Sequence, residues 1–156
     1  MKILDIGCGC NSQGTVNTDL FINDVGHRLY THKTINTKKT ANFVLSKAPD
    51  YLPFQSGSFE IVVSRQLIEH LEDPQKLLDE MLRISNNKFI IETAFGLGDK
   101  LAGANPTHKQ FFSTRYFKKY AKLRNLTLIV KITKFMQNRI GLFFNIPLEI
   151  RYTFQK

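Results

Sequence analysis

The stretch Ile3-Leu4-Asp5-Ile6-Gly7-Cys8-Gly9 decides how this chain is read. Apolar residues around a single acid give the short run expected of a strand buried in a parallel sheet. The glycines that follow end the strand, and without side chains they let the backbone come close to a ligand. In open α/β sheets, ligands bind beyond the carboxyl ends of the strands, where the strand order reverses. Gly7-Cys8-Gly9 is therefore the expected cradle. The Gly-x-Gly-x-x-Gly pattern of a dinucleotide fold is incomplete here, because position 12 is Ser.

Outward from that loop, Thr15–Leu20 reads as a second strand that ends in Asp19, an acid whose two oxygens suit two ribose hydroxyls. Nine residues lie between Gly9 and Asp19, too few for the usual crossover helix. Residues 21–40 are polar and without period, and read as loop with room for one short helix. Ala41–Leu45 and Glu60–Ser64 read as the third and fourth strands, with Pro53 and Gly57 marking turns between them. Asp73-Pro74 starts a helix whose core stripe is Leu77, Leu78, Met81 and Leu82.

Lys88–Glu92 is the fifth strand, and a Gly-rich loop is predicted over about 93–110. Ser113 is the predicted cap of a helix anchored by Tyr116, Phe117, Tyr120 and Ala121. Leu126–Phe135 and Leu148–Phe154 form the last two strands, an antiparallel pair at the sheet edge. The expected fold is an open α/β sheet in one domain over residues 1–156, mostly parallel with an antiparallel C-terminal edge pair.

Composition narrows the classes further. A hydrophobic fraction of 42% with 13 Phe suits a packed core and argues against disorder. No apolar run approaches the roughly 20 residues of a membrane span. The opening residues meet glycine too soon for a signal peptide, so the expected location is the cytoplasm. The two cysteines, Cys8 and Cys10, are too close for an unstrained disulfide and too few for a zinc site. His27 and His32 lie with Asp24 in the polar loop, and no metal site is predicted.

The net charge of +9 is spread as +2 over residues 1–50, −3 over 51–100 and +10 over 101–156. Such a basic final third favours an anionic partner, with RNA one such partner, or simply a solvated lysine face.

Three groups of residues carry a resemblance. They are Ile3–Gly9 with Asp19; Leu52-Pro53-Phe54 with Ser58-Phe59-Glu60-Ile61-Val62; and Leu67-Ile68-Glu69-His70-Leu71 with Asp73-Pro74 and Leu77–Glu80. Together with His108–Ser113 they resemble the class I S-adenosylmethionine-dependent methyltransferases, closest to the type 11 branch. The resemblance implies a Rossmann-like sheet and S-adenosylmethionine as cofactor. It places Asp5, Gly7, Cys8 and Gly9 around the methionine part, Asp19 on the ribose and Leu20 on adenine. The segment Ser46–Asp50, with Ala48, Pro49 and Asp50 at its centre, would supply the adenine edge, and Ser64 and Gln66 the sulfonium side.

The family's N-terminal roof helices have no counterpart before Ile3, so a cover is expected from residues 93–112 or from a partner subunit in a homodimer. Candidate bases are His70 and His108, with Glu69 beside them. Ser64-Arg65-Gln66-Leu67 stands where amino-directed base methyltransferases carry Asn/Asp-Pro-Pro-aromatic, which disfavours that reaction. The methyl acceptor is otherwise open, with an anionic molecule favoured by the charge. The competing expectation is a non-catalytic cofactor-binding or RNA-binding module on the same fold.

Overall fold

The computed structural model describes residues 1–9, 12–20, 42–50, 52–103, 105–136 and 145–156. The predicted loop over 21–40, with His27, His32 and Asp24, lies outside the described residues, as does Cys10. Five strands run parallel: β1 (Ile3–Ile6), β2 (Val16–Asp19), β3 (Phe43–Leu45), β4 (Phe59–Arg65) and β5 (Ser85–Ala94). Two more, β6 (Thr127–Phe135) and β7 (Pro147–Gln155), pair antiparallel to each other, and β7 pairs antiparallel to β5. The sheet order is β3-β2-β1-β4-β5-β7-β6. Strand order reverses between β1 and β4, which puts the Gly7–Gly9 loop at the switch point.

The β1–β2 connection is short and is held by side chains rather than by a helix. Thr15 Oγ1 donates to the Ile3 carbonyl and accepts from the Ile3 N–H, both at 2.9 Å, so the chain has returned to the start of β1 by residue 15. Extended chain covers about 3.3–3.6 Å per residue, so half a dozen residues are enough to run back along a four-residue strand. Asn17 then clasps Gly14 both ways, accepting its N–H at 2.9 Å and donating to its carbonyl at 3.0 Å.

Among the described residues three helices cover the sheet: α1 (Pro74–Ile84), α2 (Gly96–Leu101) and α3 (Thr114–Leu123). Asp73 caps α1 through the Lys76 N–H and Pro74 takes the first helical position, as the sequence predicts. The buried stripe is Leu77, Leu78, Met81 and Ile84, with Leu82 only half-buried, since the last turn leans on the sheet through Ile84. Ser113 occupies the cap position of α3 but makes no capping hydrogen bond. Phe117 stacks on Tyr152 with centroids 4.0 Å apart, and Tyr120 meets Phe154 edge-on at 5.8 Å, so α3 is anchored to β7.

Of the stretch 93–110 read as a Gly-rich loop, the first part is regular structure and the described residues from 102 onward are loop. β5 continues through Ala94, and α2 follows at once. Gly96 and Gly98 serve close packing: a Cβ on Gly98 would stand 2.0 Å from the Pro147 carbonyl oxygen, so only glycine lets α2 lie against β7. At the far edge, β6 exposes Ile129, Val130, Ile132 and Phe135. No helix among the described residues is long and apolar enough to cross a membrane.

One clamp joins α1 to the turn before β4. Arg83 donates to the Phe54 carbonyl at 2.8 Å, to the Leu52 carbonyl at 3.2 Å, and to both carboxylate oxygens of Glu80 at 2.8 Å. Glu80 in turn accepts the Leu52 N–H at 3.0 Å. The Arg83 guanidinium is the main influence holding the Glu80 carboxyl below its ordinary value, and burial only partly opposes it. The stability from this lowered pKa is therefore present above the ordinary glutamate range and is lost as the pH falls through the folded-state value. Arg83→Ala is expected to destabilise the fold by about 2–3 kcal/mol at neutral pH. Glu80→Gln should flatten the acid limb of the stability curve; urea unfolding between pH 3 and 7 checks both, at pH values set by that glutamate range.

Candidate functional site

A cavity of about 550 Å³ opens beyond the carboxyl ends of β1, β2 and β4. Gly7 and Gly9 form its floor. Gly7 has φ +67°, and a Cβ there would come within 2.8 Å of Leu67 Cδ2. The loop is tied to β2 by two hydrogen bonds: Cys8 N–H to the Thr18 carbonyl at 3.0 Å and Gly9 N–H to Asp19 Oδ2 at 2.9 Å. Asp19 and Leu20 make one wall, with Ser46, Lys47 and Ala48 beside them. Gln66, Leu67, His70 and Leu71 make the other, and Glu72 and Lys109 lie at the rim. An ion pair of 2.6 Å joins Glu72 to Lys109.

Of the predicted cofactor residues, Gly7, Gly9, Asp19, Leu20, Ala48 and Gln66 line this cavity. Cys8 is buried beneath it; its N–H bonds the Thr18 carbonyl and its Sγ donates to the Gly9 carbonyl at 3.6 Å. Asp5 also lies beneath: its Oδ2 accepts from Arg65 Nη2 at 2.8 Å and from the Gln13 N–H at 2.9 Å. Burial raises the Asp5 carboxyl above its ordinary value, outweighing the Gln13 amide and the Arg65 charge. Ser64 is 1% exposed and stands at the end of β4 without reaching the cavity. Pro49 and Asp50 also lie off the wall, where exposed Asp50 pairs with Lys47 at 3.7 Å.

Gln66 has φ +50°, a left-handed conformation uncommon outside glycine and typical of constrained functional positions. Its N–H donates to the Glu92 carbonyl at 2.8 Å, which turns the chain out of β4 over the cavity. A single 3-10 turn, Ile68–His70, follows. His70 lines the cavity, with Nδ1 at 3.1 Å from both the carbonyl oxygen and the hydroxyl of Thr107. His108 does not line it; its Nδ1 meets Asp99 Oδ2 at 2.7 Å, and its ring lies edge-on to His70 with centroids 4.8 Å apart.

Glu69 is buried between them and its Oε2 accepts from Thr93 Oγ1 at 3.0 Å. Burial pushes this carboxyl up, against the opposing pull of nearby amides and Thr93. The carbonyl of Glu69 also accepts the N–H groups of Lys109 and Gln110, at 2.8 and 3.1 Å, and so docks the 105–110 segment onto the turn.

The residues that sequence reasoning misses are Leu67, Leu71, Glu72 and Lys109 on the cavity, and Arg65 as the partner of Asp5. Leu67 and Leu71 flank Glu69-His70 at a four-residue spacing, a legible apolar signal. Lys109 and Glu72 lie 37 residues apart and carry no local pattern.

The donor set suits a nucleoside joined to an amino-acid arm. A carboxylate is held beside a backbone-lined floor, Leu20 offers an apolar platform, and space is open above Gly9, where a Cβ would meet nothing within 4 Å. The family model described as a methyltransferase domain matches residues 4–88.

Solved structures of similar fold include an S-adenosylmethionine-dependent methyltransferase from Archaeoglobus fulgidus, 17% identical, with 99% of this chain and 86% of that chain covered at a TM-score of 0.69. A methyltransferase from Thermotoga maritima, described as a possible histamine N-methyltransferase, is 15% identical over 99% of this chain and 82% of that one, also at 0.69. Magnesium protoporphyrin IX methyltransferase from Synechocystis, with S-adenosylmethionine bound, is 10% identical over 100% and 70%, at 0.66. At these identities the likeness is one of fold. No curated protein sequence matches the chain. The chain belongs to the methyltransferase domain family, within the type 11 branch of the class I S-adenosylmethionine-dependent methyltransferases, and S-adenosylmethionine is its cofactor.

Proposed function

We propose that this chain transfers the methyl group of S-adenosylmethionine to an anionic acceptor that docks over Gln66 and His70. The observation that carries the reading is the Gly9–Asp19 hydrogen bond, which fixes a carboxylate at the switch point on the same cavity as His70. When bound, the cofactor supplies a methyl group already activated on a sulfonium, so the protein has chiefly to position groups and exclude water.

The Gly7, Cys8 and Gly9 backbone holds the methionine arm, with Asp5 supporting the loop from below. Asp19 takes the ribose hydroxyls, its carboxylate oriented by the Gly9 N–H. Leu20 packs on adenine. In the 46–50 segment the cavity is lined by Ser46, Lys47 and Ala48, which supports these three rather than Pro49 or Asp50 for the adenine edge. Gln66 serves the sulfonium side, with Ser64 beneath it in β4.

Where the acceptor carries a proton, His70 receives it. Donation from Nδ1 to the Thr107 carbonyl leaves the lone pair on Nε2. His108 stands behind, held by Asp99.

The anionic character of the acceptor is supported by α3. Arg115, Lys118, Lys119 and Lys122 are exposed on one face, opposite buried Phe117, Tyr120 and Ala121. None of the four forms a salt bridge among the described residues, whereas Arg124 pairs with Asp79 at 2.8 Å. Their charge is thus available to phosphates, and RNA is the extended form such an acceptor takes.

Asp19→Ala is expected to weaken S-adenosylmethionine binding about tenfold or more by isothermal titration, the loss of a charged hydrogen bond being worth about 1.5–3 kcal/mol. Unchanged affinity in a folded variant removes Asp19 from the site. Replacing Arg115, Lys118, Lys119 and Lys122 with Gln should abolish RNA binding while leaving cofactor affinity intact. The wild-type salt slope should fall by about 0.7 per contacted phosphate on single strands. If wild-type protein binds no polyanion in a salt-dependent way, the basic face serves solubility and the acceptor is a small molecule.

A further inference from the structure

The carboxylate of Glu69 and the two imidazoles of His70 and His108 converge from segments nearly 40 residues apart, and one ligand atom from each lies within 4.8 Å of the others. Glu69 reaches this point from inside the protein, 1% exposed, with Oε2 held by Thr93 and Oε1 buried without a hydrogen-bond partner. The Glu69 and Ala94 amides face the carboxylate, yet neither completes a bond to Oε1. A buried carboxylate oxygen left unpaired is costly unless something positive meets it.

Both imidazoles are prepared in the way metal-binding histidines are. His108 Nδ1 is held by the Asp99 carboxylate at 2.7 Å and His70 Nδ1 by the Thr107 carbonyl at 3.1 Å. In the tautomer that donates from Nδ1 to these acceptors, the lone pair stands on Nε2, the arrangement by which outer-shell groups orient and strengthen metal ligands. The Thr93 hydroxyl holds Glu69 Oε2 and so anchors the carboxylate with Oε1 as the ligand atom.

We propose that Glu69, His70 and His108 bind a divalent transition-metal ion, zinc by preference, at the rim of the cofactor cavity. Two neutral imidazoles and one carboxylate form a donor set that zinc accepts with a fourth position left open. Tetrahedral zinc with bonds of about 2.0–2.1 Å needs ligand atoms about 3.4 Å apart, so side-chain movement on the order of 1 Å closes the set. The ion would lock the 105–108 segment to the Ile68–His70 turn, beside the wall that His70 lines. A seated ion also claims the His70 lone pair. A hydroxyl-bearing acceptor would then be activated by coordination, which lowers its pKa so that the proton passes to solvent water rather than to the histidine. That use rests on the methyl-transfer reading; the binding does not.

The test uses the full chain freed of metal with a chelator, and Co²⁺ and Zn²⁺ alone as probes. Wild type is expected to develop a visible d–d band with one equivalent of Co²⁺, which one equivalent of Zn²⁺ then removes. His108→Gln and Glu69→Gln should lose the band, and Asp99→Asn should bind zinc about 10–100-fold more weakly by titration calorimetry, because it touches the ligand and not the ion. Circular dichroism melts show that each variant folds, and S-adenosylmethionine titration of the same samples reports the cofactor site separately. The proposal is overturned if wild type gives no band and no zinc heat, or if folded His108→Gln and Glu69→Gln bind as wild type does. It is equally overturned if the band survives in them and vanishes in His27→Gln/His32→Gln.

Discussion

The carboxylate of Asp5, buried at the middle of the sheet, receives the guanidinium of Arg65 from β4 and the Gln13 amide from the chain returning toward β2. Three segments thus share one acceptor at the point where strand order reverses. Burial works against the charge and raises its pKa, while Arg65 and Gln13 work the other way. Such a pair adds little net stability over an apolar substitute, but removing one partner strands a charge, at about 3–5 kcal/mol. Its value is therefore positional. With Asp5 fixed, β1 and β4 keep their register of Asp5 beside Val63, and the Gly7–Gly9 loop above them has one place to go.

From that anchor the site assembles in two halves. The β1–β2 half is made of backbone and carboxylates: Gly9 on Asp19, Cys8 on Thr18, Gly14 on Asn17. The β4–β5 half is made of imidazoles and a long-range dock, in which Glu69 takes two amides from the 105–110 segment. The first half presents backbone amides and a carboxylate to the cavity, and the second presents Gln66 and an imidazole. Glu72 and Lys109 beside this dock line the cavity, whereas α2 over 96–101 packs against β7.

What could be read in the sequence is what local pattern encodes. The strand and loop of Ile3–Gly9, the acid at Asp19, the Asp73-Pro74 start of α1 and the basic face of α3 each follow from neighbours a few residues away. The loop reading fails over 93–101 because glycine looks the same whether it frees a chain or lets two backbones touch; Gly98 does the second. Pro49 and Asp50 follow from the resemblance, and among the described residues of that segment Ser46, Lys47 and Ala48 line the cavity. Arg65 on Asp5 and the meeting of Glu69, His70 and His108 depend on strand pairing, which no short window of sequence records. Each of those histidines was legible singly, as a candidate base; their company was not.

The shortness of the β1–β2 connection also bears on the chain entropy of assembly. Leu4 pairs with Val16 across twelve positions on one side and with Val62 across fifty-eight on the other. Loop-closure entropy grows with the logarithm of length, by about 0.6 kcal/mol per doubling. A little over two doublings separate the pairings, so joining β1 to β2 is easier than joining β1 to β4 by about 1.4 kcal/mol. The Gly-loop and its carboxylate belong to the unit that closes more cheaply. The Gly-loop wall of the cavity, from β1 to Asp19, is thus encoded in fewer than twenty contiguous residues, while the wall of Gln66, Leu67 and His70 waits on the pairing of β4.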